Sequence, residues 1–197
     1  ADVRRATAEP RFDAEVNILG GLDVLSAARD AGAARIVYAS TAAVYGDPDR
    51  LPVAEDHPTR PLGAYGISKL AFEHYLLAAA RDGGPAAAVL RLANLYGPRQ
   101  DPRGEAGVVA IFAGAMLGGR PCRIYGDGAQ TRDFVYAADA ARAVVLALGG
   151  AADGRVLNIG SGAETSVLAL HDALAAATGA GRAPTFAAAR PGEIRRM

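Results

Sequence analysis

RIVYAS, residues 35–40, is the stretch on which the fold turns. It is short, apolar and carries β-branched Ile36 and Val37, the make-up of a buried strand. Before it lies RFDAEVNILGGLDVLSAARDAG, residues 11–32, with Val16, Ile18, Leu19, Leu22, Leu25 and Ala28 at helical spacing and Gly32 as the stop. After it come a polar, proline-punctuated loop, YGDPDRLPVAEDHPTRP (45–61), and a second helix, AYGISKLAFEHYLLAAARDGG (64–84). AAAVLRLAN (86–94) repeats the buried-strand pattern. Further on, GVVAIFAGAMLGG (107–119) reads as a helix, CRIYG (122–126) as a strand, AADAARAVVLALGG (137–150) as a helix, RVLNIG (155–160) as a strand and SVLALHDALAAATGAG (166–181) as a helix. Continuous apolar strands alternating with helices predict an α/β fold, a doubly wound parallel sheet covered on both faces.

The chain has 197 residues, enough for one domain or one with a small appendage, and 51% are hydrophobic, so a sizeable core can be buried. Lysine plus arginine equals aspartate plus glutamate, and the formal net charge of zero argues against a broad nucleic-acid or membrane surface. Cys122 stands alone, which excludes a disulfide framework or a cysteine zinc site and makes a reducing, cytoplasmic setting the default. Its thiol is expected to be a small buried hydrophobe. His57, His74 and His171 lack metal-ligand spacing, so no metal is expected. Residues 107–119, the longest apolar run, fall short of the ~20 residues a membrane helix needs, and no secretory signal is visible at the start. The chain opens on Ala1 and stops just after RPGEIRR, and we expect a fragment at both ends, a mature or trimmed terminus being the alternative.

Ligands of such folds sit outside the carboxyl ends of the strands, which directs attention to STAAVYGD (40–47), NLYGPRQDP (94–102) and the helix between them. That helix holds Lys69, the single lysine; twenty of the 21 strongly basic residues are arginine. Tyr65 and Lys69 stand at i and i+4, on one face one turn apart. A free tyrosine titrates near 10, too high for a base at neutral pH, and a close ammonium is expected to lower it. A lysine is a compact point charge that can also donate to a sugar hydroxyl, which the planar arginine fork does less well. Ser40 and Thr41, where RIVYAS ends, offer hydroxyls to the same substrate group. Arginine offers anions a forked, permanently charged set of donors. Arg132, inside GDGAQTRDF, and Arg190, before a proline–glycine turn, are the loop-borne candidates, whereas Arg91, Arg99 and Arg142 read as structural or surface residues.

With these motifs in place the chain resembles, over essentially its whole length, the extended short-chain dehydrogenase/reductase superfamily and within it the NAD-dependent sugar-nucleotide epimerases. STAAVYG looks like the family's serine/threonine segment, with Thr41 at the catalytic hydroxyl and Ser40 beside it. YGISK is similar to the catalytic motif, with Tyr65 as base and Lys69 on the nicotinamide ribose. Asn17, in VNILGG, matches the helix asparagine beside the catalytic centre. RLANLYGPRQDP resembles the segment passing the nicotinamide, at Leu92, and then the substrate, at Asn94; several epimerases carry an aromatic residue at the Leu92 position. CRIYGDGAQTRDFVY looks like the nucleotide pocket, with Tyr125 near the base and Arg132 on the phosphates. LNIGSG adds Asn158, and RPGEIRR resembles a C-terminal clamp bearing Arg190.

The resemblance implies a Rossmann-like sheet with a small C-terminal substrate-binding lobe. Residues 1–95 would form the C-terminal part of the NAD-binding domain with its catalytic helix. Residues 96–197 would form mainly the lobe, some elements returning to the core. It implies NAD as cofactor and a nucleotide sugar as substrate, with interconversion of UDP-glucose and UDP-galactose or a related NDP-sugar 4-epimerisation through a transient 4-keto sugar. The alternatives are another NAD-dependent NDP-sugar modifier (dehydratase, decarboxylase or uronate epimerase) and a non-catalytic NDP-sugar-binding fragment. It also implies a homodimer paired through helices 11–31 and 64–82. Two departures stand out. The glycine-rich pyrophosphate fingerprint is missing and is expected upstream of ADVRR. Where related dehydratases carry an aspartate and a glutamate after the catalytic threonine, and decarboxylases keep a glutamate, this chain has Ala42 and Ala43.

Overall fold

The computed structural model describes residues 3–102, 107–190 and 194–197. In chain order it contains α1 (Val3–Ala8), α2 (Pro10–Ala14), a π-helical segment (Glu15–Leu19), α3 (Gly20–Asp30), β1 (Arg35–Thr41), a 3-10 turn (Ala42–Tyr45), α4 (Ala64–Arg81), β2 (Ala86–Leu92), β3 (Asn94–Tyr96), α5 (Val108–Leu117), β4 (Arg123–Tyr125), β5 (Thr131–Arg132), β6 (Phe134–Tyr136), α6 (Ala137–Leu148), β7 (Val156–Ile159), β8 (Thr165–Ser166), α7 (Val167–Thr178) and β9 (Thr185–Ala187).

The helix expected over 11–32 is found with a π segment inside it. Pro10 sits in its first turn, where a missing N–H does no harm, and Gly32 at φ 65° lets the Ala33 amide reach back to the Ala28 carbonyl and close the end. α1 was not legible in the charged opening ADVRR. It is braced by Arg5, which pairs with Glu9 at 3.2 Å and lies 3.6 Å over the Phe12 ring.

β1, β2 and β7 form a parallel sheet in the order β1-β2-β7. Central β2 is the most buried strand, and Ala87, Ala88, Val89 and Leu90 are all but sealed from solvent. Leu25 of α3 and Phe72 and Leu76 of α4 pack on one face against Ala87 and Val89. Ala147 of α6, with Ala152, packs on the other against Ala88 and Leu90. Helices on both faces of a parallel sheet are the doubly wound arrangement expected. β1 differs from expectation: RIVYAS is mostly half-buried, because among the described residues only β2 pairs with it and its other edge stays open.

The register puts Thr41 beside Leu92 and Leu92 beside Ile159, so three strands end at one level and Ala42, Ala93 and Gly160 follow them at a common edge. AAAVLRLAN is not one strand. The Ala93 amide still bonds the Ile159 carbonyl, but the Asn94 amide turns to Asp133, and β3 pairs with β6 instead. Beyond this switch, β4 pairs with β9 and β5 with β8, over a second core of Phe112, Met116, Cys122, Ile124 and Val167. Cys122 is buried there, as expected. Among the described residues no helix is long and apolar enough to cross a membrane.

Candidate active site

Thr41 closes β1 and Tyr65 opens α4; what joins them is Gly66. A Cβ at Gly66 would lie 2.8 Å from the Ala43 carbonyl oxygen and 2.9 Å from the Pro61 side chain, so only glycine lets the first turn of α4 press against the 3-10 turn. Thr41 caps that turn, its Oγ1 accepting from the Ala43 amide at 3.2 Å, and its hydroxyl is near enough to Tyr65 to favour the phenolate. The Tyr65 hydroxyl is pushed above its ordinary value, chiefly by burial, with the charge of Asp13 adding and the Thr41 bond opposing. This corrects the expectation that Lys69 would bring it down. The Lys69 ammonium instead stands 4.2 Å over the Tyr38 ring and makes no hydrogen bond among the described residues. Burial pushes Lys69 below its ordinary value, and Glu73 and Asp13 oppose this.

Asn17 lies in the π segment, a feature that often marks functional positions in helices. Its Nδ2 donates to Asp13 Oδ1 at 2.8 Å and to Ser68 Oγ at 3.2 Å, and Ser68 in turn donates to the Tyr65 carbonyl at 3.1 Å. Asn17, Thr41, Tyr65 and Lys69 are thus brought together.

Ser40 is placed differently from expectation. Its hydroxyl is 3% exposed and donates to Glu73 Oε1. Glu73 receives Arg91 through Nη2 at 2.7 Å and Nε at 3.2 Å, and Arg91 Nη1 donates to the Tyr45 hydroxyl at 2.9 Å. Tyr45 donates its own O–H to Asn158 Oδ1 at 2.7 Å, while Asn158 Nδ2 donates to the Val53 carbonyl at 2.8 Å. Ser40 therefore spends its side chain inside the protein, and Asn158 is held by neighbours on both sides of its amide. Arg91 proves structural, as expected. Sequence reasoning missed Glu73, Tyr45, Asp13 and Tyr38. Glu73 had a signal, standing four residues beyond Lys69 on the same helical face; so had Arg91, the one charge within AAAVLRL, which calls for a buried partner.

A cavity of about 350 Å³ opens at the common carboxyl edge, lined by Ala42, Tyr45, Arg91, Ala93 and Asn158 among others. Of the expected site residues only Asn158 lines it. Leu92 packs into the core on the α6 side, and Asn94 is exposed at the start of β3. In the lobe, the Arg190 guanidinium lies 3.9 Å over the Tyr125 ring, and hydrogen bonds from Arg190 and Arg123 hold the Tyr125 hydroxyl below its ordinary value. Arg132 donates to the Thr131 carbonyl at 2.7 Å. Pro191, Gly192 and Glu193 of the expected clamp lie outside the described residues. Among the described residues no group of three or more histidine, cysteine or acidic side chains is arranged to hold a metal ion.

Comparison with known proteins agrees with this geometry. The chain is 45% identical over 195 residues to UDP-glucose 4-epimerase of Mycolicibacterium smegmatis, covering 98% of this chain and 62% of the relative. A crystal structure of UDP-glucose 4-epimerase from Thermotoga maritima with UDP-glucose superposes with a TM-score of 0.96 at 41% identity, over all of this chain and 64% of that one. The Thermus thermophilus UDP-glucose 4-epimerase complex with NAD gives 0.90 at 42% identity, over all of this chain and 65% of that one. The chain thus spans just under two thirds of the length of these relatives. Residues 1–160 match the family model for the NAD dependent epimerase/dehydratase family, and the chain belongs to that family.

Proposed function

We propose that the chain carries the catalytic residues of an NAD-dependent nucleotide-sugar 4-epimerase acting on UDP-glucose and UDP-galactose or a close relative. The observation that carries the reading is the junction of Thr41, Tyr65 and Lys69 at the carboxyl end of β1, in a chain so similar to UDP-glucose 4-epimerases. Lys69 suits the nicotinamide ribose: its ammonium has no hydrogen-bond partner among the described residues, which leaves its donors for a sugar diol. Bound NAD would take up a hydride at the sugar C4 and return it.

The chain's own residues do the rest. Thr41 donates to the oxygen at C4 and orients it against Tyr65. Tyr65 accepts the hydroxyl proton and returns it when the carbon is reduced again. Burial holds the Tyr65 proton on, so Tyr65 becomes a competent base only as charges arrive beside it. Asn17, tied to Ser68, fixes the first turn of α4. Arg132, Arg190 and Asn94 are assigned to the diphosphate and sugar, and Tyr125 to the nucleotide base. Leu92 borders the nicotinamide. Ser40 braces the end of β1 through Glu73, and Asn158, which lines the cavity, is assigned to the substrate. Residues 1–95 belong to the cofactor domain on this reading, and residues 96–197 mainly to the substrate lobe. Exposed Val16, Leu19, Val24, Ile67 and Tyr75 on the helices over 11–31 and 64–82 support a homodimer paired there. The single buried thiol suits a cytoplasmic setting.

Ala42 and Ala43 decide between family chemistries. Dehydration needs a proton removed at C5 and another given to the departing hydroxyl, and neither alanine can carry one. Incubated with UDP-glucose and NAD, the enzyme with its glycine-rich segment should yield UDP-galactose, with no product lighter by water. Mass spectrometry of the products checks this, and a 4-keto-6-deoxy sugar would place the enzyme among the dehydratases.

A further inference from the structure

Asp13 lies on α2 where the chain packs against α4, and it is 6% exposed. A carboxylate so buried is normally fully hydrogen-bonded. This one is bonded on one side only: Oδ1 accepts from Asn17 at 2.8 Å and Oδ2 has no partner. The same Asn17 nitrogen reaches Ser68, the residue before Lys69. Lys69 in turn rests on the Tyr38 ring, and the Tyr38 hydroxyl is also buried without a partner. Asp13 on α2 is thus linked by hydrogen bonds to the turn of α4 that bears Lys69, whose ammonium rests on Tyr38 of β1.

We propose that Asp13 is a positioning residue for Lys69. Through Asn17 and Ser68 it fixes the turn of α4 that bears the lysine, and its unpartnered oxygen adds to the negative charge around the ammonium on the Tyr38 ring. The importance of that ammonium rests on the function proposed above; the coupling itself does not.

Two carboxylates act on Lys69. Glu73, on the same helix, acts the more strongly and is itself held by Arg91 at 2.7 Å, whereas Asp13 acts from a different element. Tyr65 and Tyr38 both have hydroxyls raised by burial and stay uncharged near neutral pH. Asp13 makes no ion pair among the described residues, and its charge acts on Lys69, Tyr65 and Tyr38 alike. Burial disfavours the charged form of Lys69. A fixed carboxylate nearby opposes that, and it does so in a low-dielectric setting where charge carries far.

The chain's single lysine makes the test direct. Lysine labelled with carbon-13 at Cε gives one titrating resonance, that of Lys69. Asp13→Asn is nearly isosteric, keeps the acceptor for Asn17 and removes the charge. It should move the Lys69 midpoint to lower pH, raising the proton dissociation constant roughly tenfold. Asp23→Asn, at an exposed acid on α3, should leave it in place. A change under twofold in Asp13→Asn, or an equal change in Asp23→Asn, overturns the proposal. Asp13→Ser, smaller and also uncharged, should move the Lys69 midpoint the same way; an unmoved Lys69 in either variant overturns the proposal even if the other fails to fold. No substrate or cofactor enters these titrations. Coupling without epimerase products would therefore sink the function and leave the inference standing; products without coupling would do the reverse.

Discussion

Replacing Arg91 by methionine should be among the most damaging single changes away from the reacting atoms. The guanidinium is 7% exposed and donates to Glu73 through Nε and Nη2 and to Tyr45 through Nη1. Methionine fills much of the volume but leaves the Glu73 carboxylate, 1% exposed, with Ser40 as its remaining side-chain donor. Stranding one member of a buried ion pair costs about 3–5 kcal/mol. For a chain of this size that corresponds to a fall in Tm of roughly 6–20 °C. Urea unfolding followed by circular dichroism measures it. The cause can be isolated, because Glu73→Gln combined with Arg91→Met leaves no charge behind and still offers Ser40 an acceptor. The double variant should recover about 2 kcal/mol over the single one. A double variant no more stable than Arg91→Met would show that lost packing, not a stranded charge, set the penalty.

Two further outcomes are expected. Tyr65→Phe should reduce epimerase turnover by orders of magnitude while leaving UDP-glucose binding within a few-fold, because the hydroxyl that takes the proton is gone and the ring remains. Lys69→Arg should be nearly as harmful despite keeping the charge, since a planar fork does not fit the place of a compact ammonium on the Tyr38 ring; near-normal steady-state rates in either variant would remove α4 from the chemistry. At low pH the segment 194–197 should come loose. Glu164, held by Arg196 and Thr131, titrates at about 2 in the folded chain against an ordinary 4.5, and Asp127, held by Arg195, is likewise held well below its usual range. Depressed folded values mean that the anchorage is complete above the ordinary values and is lost as pH falls toward 2. Both pairs are exposed, so salt should weaken them as well. Protection of the Thr131 amide, which donates to the Arg195 carbonyl at 2.9 Å, is the readout, and unchanged protection between pH 5 and pH 2 would refute the role given to these pairs.

The main sheet was legible because β2 is sealed on both faces, so its apolar run advertises itself, and because α3 and α4 carry apolar spacing and glycine stops. β3, β5, β6, β8 and β9 were not, since strands of two or three residues hold no period. The break at Ala93 was hidden for a related reason: a strand that changes partners keeps its composition. At the site, Tyr65 and Lys69 were found from their spacing, Thr41 from its place at a strand end and Asn17 from the family resemblance, and the structure brings them together. The direction of the Tyr65 shift could not be read from spacing, because it depends on how deeply the ring is buried and on where the lysine chooses to rest. Ser40 looked like a ligand contact in sequence because a polar residue at a strand end has the same appearance whether it faces a ligand or a neighbouring side chain.

The chain of contacts Ser40–Glu73–Arg91–Tyr45–Asn158 draws one residue from each of five elements, β1, α4, β2, the 3-10 turn and β7. Each member satisfies its neighbour, so nearly any first substitution strands a polar group and is selected against before a second can mend it. In hereditary terms the five behave as a single unit of inheritance. A descendant sequence that has exchanged Arg91 for an apolar residue should have lost the acid at position 73 as well, and most paths to that state pass through a chain that folds poorly.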